Sequence, residues 1–72
     1  MEYTVIFHKA EEGGYWVEVP ALPGCYSQGK TIEEAIDNIK EAIELHLEDL
    51  KEKNKIPEDK DFVIGRVQIP NI

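Results

Sequence analysis

Residues 13–47, GGYWVEVPALPGCYSQGKTIEEAIDNIKEAIELHL, hold a strand, a Pro/Gly turn, a second strand and a capped amphipathic helix in one uninterrupted run. Tyr15, Val17 and Val19 alternate with Trp16 and Glu18, the period of a half-buried strand. Pro20 ends it, because proline cannot donate to a ladder. Leu22-Pro23-Gly24-Cys25 fits a type II turn, with proline presetting φ and glycine accepting φ > 0. Residues 25–28 then make a short strand. Thr31 and Glu34 form a T-x-x-E capping box that opens the helix. Glu33, Glu34 and Asp37 suit the positive end of its dipole, and Lys51, Lys53 and Lys55 the negative end. Ile32, Ala35, Ile36, Ile39, Ile43, Leu47 and Leu50 fall on one stripe, opposite Glu34, Asp37, Glu41, Glu44, Glu48 and Glu52. Asn54 can take the left-handed C-cap conformation, and Pro57 forbids continuation.

On either side lie two more strands. In residues 2–9, Tyr3, Val5 and Phe7 alternate with Thr4, Ile6 and His8, and the glycine-rich residues 10–14 suit a hairpin. Past a charged loop, residues 62–69 read as a last strand closed by Pro70. The expected fold is α+β: a two-layer β-β-β-α-β module with a mixed four-stranded sheet of order 3-2-1-4 and one helix packed on one face. Tyr3, Val5, Phe7, Tyr15, Val17, Val19, Val63, Val67 and Ile69 would face the helix. Thr4, Ile6, His8, Trp16, Glu18, Phe62, Ile64 and Arg66 would face away. Four of these, Ile6, Trp16, Phe62 and Ile64, make that face apolar enough to expect a homodimer or partner interface there. The alternative is scattered surface apolar residues, which are normal.

Seventy-two residues make one domain, 1–72, with a core that is marginal for a lone monomer. Cys25 is the single cysteine, so no intrachain disulfide supplements the core and a reducing, cytoplasmic setting is expected. The N-terminal apolar run is too short for a signal peptide, and no stretch is long enough to span a membrane. A net charge of −7 repels a phosphate backbone, so direct nucleic-acid binding is not expected, whereas a basic protein partner would be attracted.

Chemistry-bearing residues are sparse. His46 lies on the margin of the helical stripe as a packing residue. His8 and Glu18 form a base-and-orienter pair only if their register allows it, and no nucleophile accompanies them. Cys25 has no CxxC spacing or adjacent histidine and reads as a small core residue. No ligand spacing for a metal and no Gly-rich phosphate motif occurs, so neither metal nor cofactor is expected. Leu45, framed by Glu41, Glu44, Glu48 and Asp49, reads either as an anchor within a charged rim or as an isolated surface leucine.

Together the aromatic strand Tyr15-Trp16-Val17, the turn Pro20-x-Leu22-Pro23-Gly24-Cys25, Gly29-x-Thr31, and Glu34-Ala35 with Glu41-Ala42 resemble the HicB-type antitoxin domain. The matched motifs cover about half the chain, and the element order agrees over all of it. The resemblance implies a partial RNase H-like fold, assembly as a dimer or higher, and inhibition of a small, basic HicA-type toxin that cleaves mRNA. If the chain has such a partner, the outward helix carboxylates Glu41, Glu44 and Glu48 would steer it, with Leu45 among them, while Trp16 and its neighbours bury apolar area. The chain departs from the family pattern at Ala21 and Lys30, where an acidic residue is common. It ends after the fourth strand, so the C-terminal DNA-binding domain of many such antitoxins, and direct autoregulation, are not expected. Nor does it place the carboxylates of a two-metal nuclease on adjacent strands. The expectation is thus a non-enzymatic antitoxin-like binding protein that occludes a toxin's active site. The alternative is a stand-alone oligomeric structural or small-ligand-binding domain.

Overall fold

The computed structural model describes residues 1–71. Three strands, β1 (Ile6–Lys9), β2 (Tyr15–Glu18) and β3 (Tyr26–Gly29), are followed by one helix, α1 (Ile32–Glu52). The strands form an antiparallel sheet of order β1-β2-β3. Phe7 lies opposite Val17, and Val17 opposite Ser27. This register puts Val5, Phe7, Tyr15, Val17 and Val19 on the helix side, as their alternation predicts.

Local chemistry accounts for each junction. In the β1–β2 hairpin, Gly13 and Gly14 take φ of 100° and 79°, and the Ala10 N–H donates to the Gly14 carbonyl. In the turn after β2, the Cys25 N–H donates to the Leu22 carbonyl at 3.0 Å while Gly24 takes φ of 86°, as expected of a Pro-Gly type II turn. Thr31 caps the helix, its hydroxyl accepting from the Glu34 N–H at 3.1 Å. The Glu34 carboxylate reaches back one residue further than a capping box requires, accepting from the Lys30 N–H at 3.1 Å. At the other end, the N–H of Lys55 donates to the Leu50 carbonyl and that of Asn54 to the Lys51 carbonyl. With Asn54 at φ of 55°, these bonds form a Schellman motif.

Val17, Val19, Leu22, Cys25, Ala35 and Ile39 are the buried core, with Tyr3, Val5, Phe7, Ile43, Leu47 and Leu50 packed partly against it. The helix sits chiefly on β3, less on β2, and stands off β1. Gly29 sets this offset: a Cβ added there would lie 2.4 Å from the Ala35 N and 2.8 Å from the Glu34 C. Only a glycine lets strand and helix backbones come so close.

The expected fourth strand is not formed in the single chain. Residues 62–71 carry no strand pairing, and Val63, Val67 and Ile69, expected to face the helix, are 95%, 84% and 70% exposed. The sheet is consequently antiparallel and three-stranded rather than mixed and four-stranded. The physical reason lies in the connection after α1. Tyr3 Oη donates to the Pro57 carbonyl and Thr4 Oγ1 to Asp59 Oδ2, which carries the chain across the start of β1. Phe62 then sits in a shallow pocket with Pro20, Ala21 and Pro23, on the β2 side of β1. From there the segment leaves the body. The radius of gyration, 14.5 Å, accordingly exceeds the roughly 11 Å of a compact chain this long.

Gly29→Ala is expected to destabilise the fold by about 3 kcal/mol, because helix backbone rather than a yielding side chain meets the new methyl. Urea unfolding with an unchanged slope checks it.

Candidate functional site

The sheet face away from the helix carries Ile6, His8, Trp16, Glu18, Tyr26 and Gln28, because side chains alternate and these positions pair across the strands. His8 stands directly opposite Trp16, and their rings stack with centroids 3.9 Å apart and planes inclined by 12°. Tyr26 meets Trp16 diagonally, centroids 6.3 Å apart and tilted by 60°. Trp16 is 39% and Tyr26 61% exposed, so the pair presents an open aromatic platform. The register left open by the sequence is settled at one edge: Ile6 opposes Glu18, placing Glu18 diagonally from His8, and the two side chains touch with His8 Nε2 2.5 Å from Glu18 Oε2. This contact fixes the imidazole against the indole. Ser27 alternates to the helix side and Cys25 lies in the core, so neither the thiol nor that hydroxyl shares the face with His8.

A second surface is the outer side of α1. Glu41, Glu44, Leu45 and Glu48 are all exposed there, and Leu45 lines a shallow depression with Glu48, Asp49, Lys51 and Glu52. Asp49 is partly engaged by Lys53, 3.1 Å away in an exposed i,i+4 pair that contributes little to stability. The residues expected to meet a partner therefore divide. Glu41, Glu44, Leu45 and Glu48 share the helix, whereas Trp16 lies on the opposite side of the sheet. The expected oligomer-interface residues divide as well. Ile6 and Trp16 share the open face, Phe62 rests against the turn after β2, and Ile64 lies out on the unpaired segment.

Between β1 and α1 lies a third feature that sequence reasoning missed. Tyr3, Val5 and Phe7 on one side and Ile36, Ile39, Ile43 and Leu47 on the other line an open groove of about 630 Å³. Ile36 was assigned to the buried stripe but is exposed, because the helix overhangs the edge of the sheet. Tyr26 was missed too. Its signal was its place beside Cys25 in a short strand, which becomes informative only once the strand register is known. Among the described residues, no group of three His, Cys, Asp or Glu side chains could hold a metal ion. No helix among them is long and apolar enough to cross a membrane.

Comparison with known proteins adds an independent line. A family model described as the HicB-like antitoxin of bacterial toxin-antitoxin systems matches residues 3–68. A UPF0150 protein of Thermoplasma acidophilum is 62% identical over 60 residues, covering 82% of this chain and 87% of its own. A UPF0150 protein of Synechocystis is 45% identical over 67 residues, covering 93% and 85%. Among solved structures, the Burkholderia pseudomallei antitoxin HicB superposes with a TM-score of 0.67 at 39% identity. That match covers 92% of this chain and 48% of the other, so this chain spans about half the length of that antitoxin.

Cys25 gives a test of the core beneath these surfaces. Burial pushes its thiol above the ordinary value. The folded state therefore keeps its proton where the unfolded chain loses it, and stability contributed by the neutral thiol falls as pH rises through the ordinary thiol range. Iodoacetamide is expected to alkylate Cys25 at least about tenfold more slowly in the native protein than in urea, read by mass spectrometry.

Proposed function

Since the chain belongs to the HicB-like antitoxin family, we propose that it is a non-enzymatic cytoplasmic antitoxin that neutralises a small HicA-type, mRNA-cleaving toxin by occluding its active site. The observation that carries this reading is the exposed acidic side of α1, where Glu33, Glu34, Asp37, Glu41, Glu44, Glu48, Asp49 and Glu52 are concentrated in a chain of net charge −7. A toxin that grips RNA presents a basic surface. An acidic protein surface steers toward it and competes with the phosphates for it. Leu45, raised within the carboxylates, adds a desolvated contact where steering alone would give only a fast on-rate.

In this reading Glu41, Glu44 and Glu48 steer the toxin, and the Trp16–Tyr26 platform remains for a second contact, with the toxin or with another copy of the chain. The assembly is a homodimer or higher oligomer. The domain completes a partial RNase H-like sheet of order 3-2-1-4, which needs residues 62–69 beside β1. Direct nucleic-acid contact is no part of the inhibition, because the acidic surface opposes it.

The test is co-purification with the product of the adjacent reading frame, followed by an mRNA-cleavage assay with and without this protein. Cleavage should stop at equimolar antitoxin, and failure to form a complex contradicts the proposal. Reversing all three charges, Glu41→Lys, Glu44→Lys and Glu48→Lys, should lower the association rate about tenfold or more at low salt and flatten its salt dependence. An unchanged on-rate in stopped-flow measurements would show that the steering surface lies elsewhere.

A further inference from the structure

We propose that residues 62–69 of one copy add as the outer strand to the free β1 edge of a second copy, reciprocally, closing a strand-exchanged dimer. The inference rests on the four-stranded reading above but not on the toxin.

Two unsatisfied surfaces carry it. β1 is an edge strand, so every second residue turns its N–H and C=O away from β2 with no partner. Beside that edge, the groove of about 630 Å³ leaves Ile36 exposed and Tyr3, Val5, Phe7, Ile43 and Leu47 only half-buried. An added strand at van der Waals distance from α1 would occupy that space. The second surface is the segment itself. Val63, Gly65, Val67 and Ile69 form one side, wholly apolar or small, whereas the other side begins with Phe62 and Ile64 and ends with Arg66 and Gln68. The first side suits burial along its whole length, yet it is largely exposed in the single chain. An exposed, apolar, β-prone segment and an unpaired strand edge are each templates for pairing with another chain.

The connection selects the second copy over the first. Tyr3–Pro57, Thr4–Asp59 and the seating of Phe62 against Pro20, Ala21 and Pro23 carry the chain past its own β1 to the opposite side of that strand. Reaching its own groove would require unseating Phe62 and reversing direction. Reaching a neighbour's requires neither. Asp61, at φ of 70°, is the last bend before the segment departs, which makes residues 53–61 the hinge. The molecule extends 51 Å along its longest axis, well beyond the roughly 32 Å of a helix of this length. Two such arms exchanged about a two-fold axis satisfy both edges and both grooves at once and leave nothing open for further growth.

The experiment is an isotope-filtered NOE measurement on the full chain, refolded from an equal mixture of labelled and unlabelled copies. The expected result is a mass in solution of twice 8.2 kDa, with NOEs between chains joining the methyls of Val63, Val67 and Ile69 to those of Ile36, Ile43 and Leu47. The same NOEs within one chain of a monomer would overturn the exchange and leave the four-stranded order standing. A tail with no NOE to any groove would overturn both. Val67→Asp, which would bury a carboxylate in the groove, should stay folded by circular dichroism and raise the dimer dissociation constant about tenfold or more. A variant that dimerises as tightly as the parent would also overturn the proposal.

Discussion

The close approach of Gly29 to Ala35 governs the architecture. With no Cβ between them, β3 and the first turns of α1 meet backbone to backbone, and the Asn38 amide adds a 2.7 Å bond to the Gln28 carbonyl at the same seam. A helix pinned over β3 cannot also cover β1. Its Ile36–Ile43–Leu47 side therefore overhangs the sheet, and the apolar area that an amphipathic helix must bury is left partly open. One contact at one edge thus determines where the molecule is finished and where it is not. In a chain of seventy-two residues the unfinished part matters, because so small a core has little stability in reserve.

The surfaces follow from the same geometry. Seating the apolar stripe on the sheet turns the carboxylates outward as one continuous band, and the antiparallel register gathers His8, Trp16 and Tyr26 on the far side. The two differ in physical kind. The acidic band acts at a distance and weakens with salt, whereas the aromatic platform acts only on contact. The His8–Glu18 pair adds a polar border to the platform.

What was legible in the sequence was local. The Pro23-Gly24 turn, the Thr31 cap, the Asn54 terminus and the inward set from Tyr15 to Val19 each depend on a few neighbouring residues and appear in the structure. Even there the Glu34 carboxylate chose the Lys30 N–H over the cap's own, a difference of one residue that propensity does not resolve. What was not legible depends on partners far along the chain. The bonds of Tyr3 and Thr4 to Pro57 and Asp59 join residues more than fifty positions apart and redirect the last segment. Nothing in the alternation of residues 62–69 says which edge, or whose, that segment will meet. Glu41, Glu44, Leu45 and Glu48 were recognised as one helical surface, and the alternation in β2 already set Trp16 on the sheet face away from the helix. The helix offset was hidden in Gly29, which the sequence shows only within the Gly29-x-Thr31 motif before the helix and which acts in the fold as a contact.

The claim on which most of this depends is that the open groove between β1 and α1 is filled by residues 62–69. Amide hydrogen exchange on the full chain tests it most directly. Protection of alternate amides in residues 63–69, together with the outward amides of β1, by about a hundredfold or more over unstructured rates, and loss of that protection on dilution, is the predicted result. Exchange of both sets at unprotected rates at every concentration, while the β2 amides stay protected, would contradict it.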